Sequence, residues 1–568
     1  MDINRYNEWV VKAKEDNDLI LELSQIKNNE KEIKERFYRD LEFGTGGLRG
    51  IIGAGTNRMN IYTLGKATQG YSNYLKKNFK NPSVAIAYDS RIKSELFAQT
   101  AAAVFGENGI TVYIYNELMP TPALSFAIRY LKCNGGIVIT ASHNPGEYNG
   151  YKVYNADGCQ ITLEAAESIQ AEINAVNVFN DVKKMKFHKG LSEGRIAYIG
   201  DEIVNQYLAA VSKEALQPHQ IDKNVSIVYT PLNGAGRRCV TACLKQNGFE
   251  NIIIPKEQEN PEGTFPTCPY PNPEIREALE VGLKKAAEVN SDILLATDPD
   301  CDRVGVAIKM PLGFELISGN QMGILLFDYI CKIKKATGTL PNKPIAITTI
   351  VSTKMADKVA KDYGVELRRV LTGFKYIGEQ IGLLEEKDEV TRYIFGFEES
   401  YGYLSGAFVR DKDGVNASLL ICEMFAYYKS LGKSLIDVIN ELYQKHGVFT
   451  EELQSVTFEG ATGFEKMCAI MKQLREHIPK EMNGHLVDSV CDYKVSKQYF
   501  ADGETAALSL PKSNVLEFNL EGDITAIVRP SGTEPKLKVY YSVKSKTKEE
   551  GKAIIDSFIN YFNKIIGA

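Results

Sequence analysis

Four short polar segments, each beside an apolar run, hold residue types suited to phosphoryl and metal chemistry. The first is Thr140-Ala-Ser-His-Asn-Pro145, which follows apolar Ile137–Ile139 and continues through Gly146 to Lys152. A serine just past a strand end, in a loop with Pro and Gly, presents its hydroxyl to a cleft, where a nucleophile or phosphoryl carrier belongs. Taken alone, the loop also reads as a polar turn in which Ser142 and Asn144 cap backbone groups. A Ser-His-Asp hydrolase fits poorly. His143 directly adjoins Ser142, adjacent side chains diverge, and no G-x-S-x-G elbow surrounds the serine.

The second segment is Asp298-Pro-Asp-Cys-Asp-Arg303. Carboxylates at alternate positions can converge on one hard cation, with oxygen ligands suited to magnesium. An EF-hand loop fails here, because its sixth position is Arg303 rather than Gly and its twelfth is Lys309 rather than Glu. As a mere acidic turn, three unneutralised carboxylates would repel one another. The third, Gly396-Phe-Glu-Glu-Ser-Tyr-Gly402, offers carboxylates and a hydroxyl for sugar hydroxyls, though a helix cap explains Ser400 equally well. The fourth, Arg529-Pro-Ser-Gly-Thr533, supplies a guanidinium fork, two hydroxyls and a glycine that lets amides approach an anion; a plain turn is the alternative. There is no Walker motif, and the Gly-rich FGTGGLRG at 43–50 misses the dinucleotide spacing.

The elements that must position these loops recur. An apolar strand, a helix of about five turns and a second strand are expected at 83–116, again at 225–255, and again at 344–371. Each copy adds a further apolar strand running into one of the first three loops, at the carboxyl end where open α/β sheets hold ligands. Three related α/β domains follow, with a smaller α+β domain from about 448 whose last strands flank the Arg529 turn. The expected divisions are 1–205, 206–318, 319–447 and 448–568, the first including an N-terminal extension of charged helices. In that extension Leu19, Leu21, Leu23 and Ile26 offer a partial apolar face.

Composition bounds the function. The 568 residues are 44% hydrophobic and 24% charged, which argues against wholesale disorder. A net charge of −5 provides no basic field for nucleic acid, so local Arg and Lys must hold any anionic substrate. No run of 18 apolar residues suggests a membrane span, and the charged N-terminus lacks an export signal, so a cytoplasmic protein is expected. Ten cysteines without CxxC pairs read as reduced thiols, and six scattered histidines without HExxH argue against zinc. No motif bears on oligomeric state.

Together, a phosphorylatable hydroxyl, a metal loop, a sugar clamp and a distant phosphate clamp imply phosphoryl transfer on a sugar phosphate. From about residue 40 onward the chain resembles the α-D-phosphohexomutases, specifically long phosphoglucomutase-type members, through TASHNP, DPDCDR, FEES and RPSGT. The resemblance implies four domains around a central cleft. It makes Ser142 the phosphorylated serine and Asp298, Asp300 and Asp302 the Mg²⁺ ligands, with the phosphoserine oxygen completing the metal site. It assigns Arg303, Glu398 and Ser400 to substrate, and Arg529, Ser531, Gly532 and Thr533 to the phosphate that is not reacting. Arg49, His143 and Lys152 match active-site positions, with the general acid and base open among them. Thr372-Gly373-Phe-Lys375 looks like a further substrate loop. The implied reaction interconverts glucose 1-phosphate and glucose 6-phosphate through glucose 1,6-bisphosphate, with mannose or pentose phosphates as alternatives; a sugar-phosphate binder without turnover is the reading from another class. Pro299 and Cys301 stand where many members have glycines, and Cys301 is disfavoured as a ligand because thiolates suit softer metals.

Overall fold

A computed structural model describes residues 2–44, 46–218, 221–458, 461–531 and 536–567. Its first sheet contains β1 (Gly47–Ile51), β2 (Ser83–Tyr88), β3 (Thr111–Tyr115), β4 (Gly135–Ile139), β5 (Tyr148–Asn155) and β6 (Ile196–Ile199), in the order β1-β5-β4-β2-β3-β6. The second contains β7 (Ile227–Thr230), β8 (Ile252–Ile253), β9 (Ile293–Thr297), β10 (Val304–Met310) and β11 (Gly313–Ile317), ordered β11-β10-β9-β7-β8. The third contains β12 (Ile345–Thr349), β13 (Glu366–Val370), β14 (Tyr393–Glu398) and β15 (Gly402–Leu404), ordered β13-β12-β14-β15.

One plan underlies all three. The first strand of each repeat lies between the second and third, all parallel, and the third is flanked by an antiparallel strand. The chain therefore leaves the central strand in opposite directions, the switch point at which α/β sheets open a crevice. The buried runs of β4, β9 and β12 suit strands covered on both faces.

Two expectations need correction. The crossover helices Ser94–Glu107, Gly236–Gln246 and Met355–Tyr363 have 14, 11 and 9 residues, so all are shorter than five turns. Polar loops take up the chain before the first, and Gly364, at φ +66°, ends the third. In the N-terminal extension Leu19, Leu23 and Ile26 are buried but Leu21 is 62% exposed. Residues four and seven apart share a helix face, whereas one two positions on points away.

The last sheet is antiparallel, comprising β16 (Val448–Thr457), β17 (Glu481–Met482), β18 (His485–Asp492), β19 (Lys497–Phe500), β20 (Thr505–Ala507), β21 (Leu516–Leu520), β22 (Ile524–Pro530) and β23 (Lys536–Ser545). Its order is β16-β23-β22-β21-β18-β19-β20, with β17 paired to β18. The helices Ala461–Glu476 and Lys548–Ile566 pack on it through Met471, Phe558 and Phe562, giving this region its own apolar core.

Candidate active site

Ser142 follows the carboxyl end of β4 at φ +51°, a left-handed conformation uncommon for a residue with a side chain. Its amide donates to Thr140 Oγ1 at 2.8 Å, and its hydroxyl donates to Asp298 Oδ2 at 2.7 Å, across from the end of β9. His143 Nδ1 is 3.1 Å from the same hydroxyl. Burial first, then the charge of Arg303, holds the His143 imidazole well below its ordinary range. Both influences favour the neutral imidazole over the charged one.

Asp298, Asp300 and Asp302 are buried, and one oxygen of each lies within 4.8 Å of the others. Asp298 Oδ1 accepts the amides of Asp302 and Arg303, both at 3.1 Å, which folds the loop around that carboxylate. Burial and the charges of Asp300 and Asp302 push the Asp298 carboxyl well up. Against its own burial, Asp300 is held low by Lys152, whose Nζ is 2.8 Å from Asp300 Oδ2 and 3.5 Å from Asp302 Oδ2. Thr121 Oγ1 donates to the same Asp300 oxygen at 2.8 Å. Oδ1 of Asp300 and Oδ1 of Asp302 are buried without a hydrogen-bond donor, so this oxygen set fits a hard cation. Cys301 belongs to no metal-capable group among the described residues.

Arg303 is ion-paired with Glu274 and lies 3.8 Å from Asp302 Oδ1. Glu398, at the end of β14, is buried; burial raises its carboxyl while the nearby Lys412 and Arg303 oppose the rise, and Ser400 hydrogen-bonds it. Thr372 has a buried hydroxyl without a hydrogen-bond partner, and Gly373, at φ +118°, opens the helix that carries Lys375. Burial is the main force lowering the Lys375 ammonium, and the charge of Arg529 adds to it. Arg529 and Ser531 share an open cleft of about 1040 Å³ with Arg49 and His143. Gly532 and Thr533 lie outside the described residues.

Three groups escaped the motif reading. Lys412 Nζ lies 3.1 Å from Asp302 Oδ2 and 3.1 Å from Asp411 Oδ1, placing a second cation on the triad. Its signal was Arg410-Asp-Lys-Asp413, a dense charge run in an otherwise apolar stretch. Arg91, after β2, donates to the carbonyls of Ser142, Asn144, Pro145 and Tyr148, gathering the whole serine loop. Its Nε is 3.3 Å from Asp89 Oδ2, both side chains are fully buried, and Phe265 lies 5.0 Å under the guanidinium. Lys536 and Lys538 line the cleft beside Arg529.

Three repeated α/β units and an antiparallel fourth, with a serine, an acidic triad and a basic cleft where they meet, define a four-domain phosphosugar mutase architecture. The chain belongs to the phosphoglucomutase/phosphomannomutase family: its α/β/α domains I, II and III match residues 40–178, 205–311 and 318–446, and its C-terminal domain matches 469–559. A phosphoglucomutase from Staphylococcus saprophyticus is 35% identical over 543 residues, covering 94% of this chain and 96% of that protein. Among solved structures, a phosphoglucomutase/phosphomannomutase family protein from Burkholderia thailandensis has TM-score 0.67 at 18% identity, covering 92% and 97% of the two chains. N-acetylphosphoglucosamine mutase from Aspergillus fumigatus, solved with GlcNAc-6P and magnesium, has TM-score 0.53 at 14% identity and covers 93% and 96%. The two solved structures share the fold.

Proposed function

We propose that this protein is a phosphoglucomutase, interconverting glucose 1-phosphate and glucose 6-phosphate through a phosphoserine at Ser142. The observation that carries the reading is the Ser142 hydroxyl, 2.7 Å from Asp298 in an acidic triad whose other two carboxylates are met by Lys152, Lys412 and Arg303. The near full-length likeness to curated phosphoglucomutases supports it.

Asp298, Asp300 and Asp302, with an oxygen of phosphorylated Ser142, would hold Mg²⁺, which neutralises charge on the transferring group. Lys152 and Arg303 stabilise the negative charge of the loose transition state. His143, in contact with the serine oxygen, takes up the proton of the accepting sugar hydroxyl, while Lys152, held protonated by Asp300 and Asp302, serves as a cation. Glu398 and Ser400 hold sugar hydroxyls, with Lys375 reaching in from the Thr372–Gly373 turn. Arg529, Ser531, Gly532 and Thr533 hold the phosphate that is not reacting. Phosphoryl transfer to the substrate gives glucose 1,6-bisphosphate, which turns over and returns its other phosphate to Ser142. Both orientations need the same distal clamp, which is why a separate Arg529 loop faces the serine loop across the cleft.

The test is a coupled assay with Mg²⁺ and catalytic glucose 1,6-bisphosphate, comparing glucose, mannose and ribose 1-phosphates by kcat/KM. Preference for glucose 1-phosphate is expected. Better use of either other sugar overturns the substrate assignment, and no turnover with any of them overturns the mutase reading.

A further inference from the structure

The helices α1 (Asp2–Lys12), α2 (Asn17–Gln25) and α3 (Glu30–Phe37) precede the first family domain, which begins at residue 40. A group of their polar contacts meets the loop 53–58 that follows β1. Glu22 Oε2 accepts the Ala54 amide at 2.6 Å, and Glu22 Oε1 accepts from Arg36 Nη1 at 2.5 Å. Arg36 Nε also donates to Glu32 Oε2 at 2.9 Å, and its carbonyl accepts the Asn57 amide at 3.0 Å. Thr56 Oγ1 donates to the Arg39 carbonyl at 2.6 Å, and Arg58 Nη2 donates to Glu35 Oε1 at 2.9 Å. Gly53 has φ +153°, and a Cβ there would stand 2.8 Å from Glu22 Oε1, so the loop lies directly against that carboxylate.

This matters because of what β1 carries. It is the edge strand of its sheet, paired with β5 alone, and Arg49 is its middle residue. An edge strand is held by one ladder only, so contacts on its other side help decide where it sits. Arg49 Nη1 donates to Asn144 Oδ1 of the serine loop at 3.2 Å, and the strand that carries Arg49 sets where that guanidinium starts. The extension is itself anchored. Trp9 and Phe37 are buried, Trp9 packs edge-on against Tyr62 and Phe179, and Lys93 is 2.8 Å from both Asp16 and Asp18. Its last residues also reach the site: Tyr38 and Arg39 line one cavity of about 470 Å³ together with Arg49, Ser142 and Lys152.

We infer that the N-terminal extension is a positioning element of the catalytic site, in which the Glu22–Arg36 pair sets the strand that aims Arg49 at the serine loop. This rests on the mutase reading above. Glu22 touches no reacting atom, so it is a positioning residue and its effect runs through Arg49.

The experiment is a double-mutant cycle on the full chain with Glu22→Gln and Arg49→Ala, read as kcat/KM for glucose 1-phosphate. Amide hydrogen exchange is followed in parallel over residues 47–54. Glu22→Gln should lower kcat/KM at least tenfold in the otherwise native protein and less than threefold in the Arg49→Ala background. Exchange at Ala54 and its neighbours should rise at least tenfold, with residues 485–545 unchanged. Equal losses in both backgrounds would reduce the extension to a folding staple and overturn the inference. So would unchanged activity, or unchanged exchange at 47–54. Native protein that turns over none of the sugar phosphates would instead overturn the mutase reading, while the exchange result still reports whether Glu22 holds the loop.

Discussion

Arg91 Nη2 donates to the carbonyl oxygen of Ser142 at 2.5 Å from a guanidinium with no solvent exposure. The same group binds three more carbonyls of the loop, so one buried cation shapes the backbone that presents the serine at φ +51°. Arg91→Lys keeps the charge beside Asp89 but cannot reach four acceptors, and should lower kcat on the order of 100-fold, as misplacing a reacting group does. Arg91→Met leaves Asp89 buried and unpaired, and should cost about 3–5 kcal/mol in chemical denaturation. Native-like kcat in the lysine variant would show that the loop holds its shape without the clamp.

Ser142→Ala should abolish turnover while leaving the denaturation midpoint close to native, because the change removes a hydroxyl and little packing. Incubating native protein with glucose 1,6-bisphosphate should add one phosphoryl group, mapped by mass spectrometry to Ser142. Phosphorylation elsewhere, or substantial activity in the alanine variant, would count against a phosphoserine mechanism.

Chelation should inactivate the enzyme, and added Mg²⁺ should restore it. Asp300→Asn and Asp302→Asn each remove a carboxylate with a buried, undonated oxygen, and should weaken Mg²⁺ binding by calorimetry at least about tenfold. Unchanged metal affinity in both variants would place the ion elsewhere.

Lys412 bridges Asp302 and Asp411, with Glu398 near by. Lys412→Met should lower kcat/KM by about 10²–10³, the usual loss when a preorganised charge is removed from a reacting group. A variant of native stability and native kcat/KM would make Lys412 a structural cation only.

Glu451 on β16, far along the chain from the serine loop, has a buried Oε1 without a partner, and burial raises its carboxyl to about 7. Its folded value lies above the ordinary 4.5, so the folded chain holds this proton more tightly than the unfolded one. The stability it contributes is full below about 4.5 and is lost as pH rises towards about 7. Glu451→Gln should therefore stabilise the protein at pH 8 by about 1–3 kcal/mol and change little at pH 4, measured by urea denaturation. Equal effects at both pH values would remove titration as the cause.

Much of this architecture was legible without coordinates, because its signals are local. Apolar runs such as Val84–Ala87 and Ile293–Ala296 mark buried strands, and a polar loop directly after such a run marks the carboxyl edge where a ligand sits. Ser142, the three aspartates and Glu398 all occupy that edge, so their types and positions were readable in sequence order. Leu21 was misread because a leucine-rich stretch shows its composition plainly but its helical phase only when the spacing is counted.

Arg91, Lys412 and Glu22 are another matter. None of them sits in one of the four loops, and the part each plays emerges from partners 51, 110 and 32 residues away. Sequence alone determined which elements form and which loops end on reactive groups, since backbone periodicity and side-chain chemistry are properties of neighbours. Tertiary structure decided that Ser142 meets Asp298, that two lysines pair with the triad, and that an N-terminal carboxylate holds the loop after the strand bearing Arg49. Charges have short reach in water and strong, directed effect only once burial brings them together.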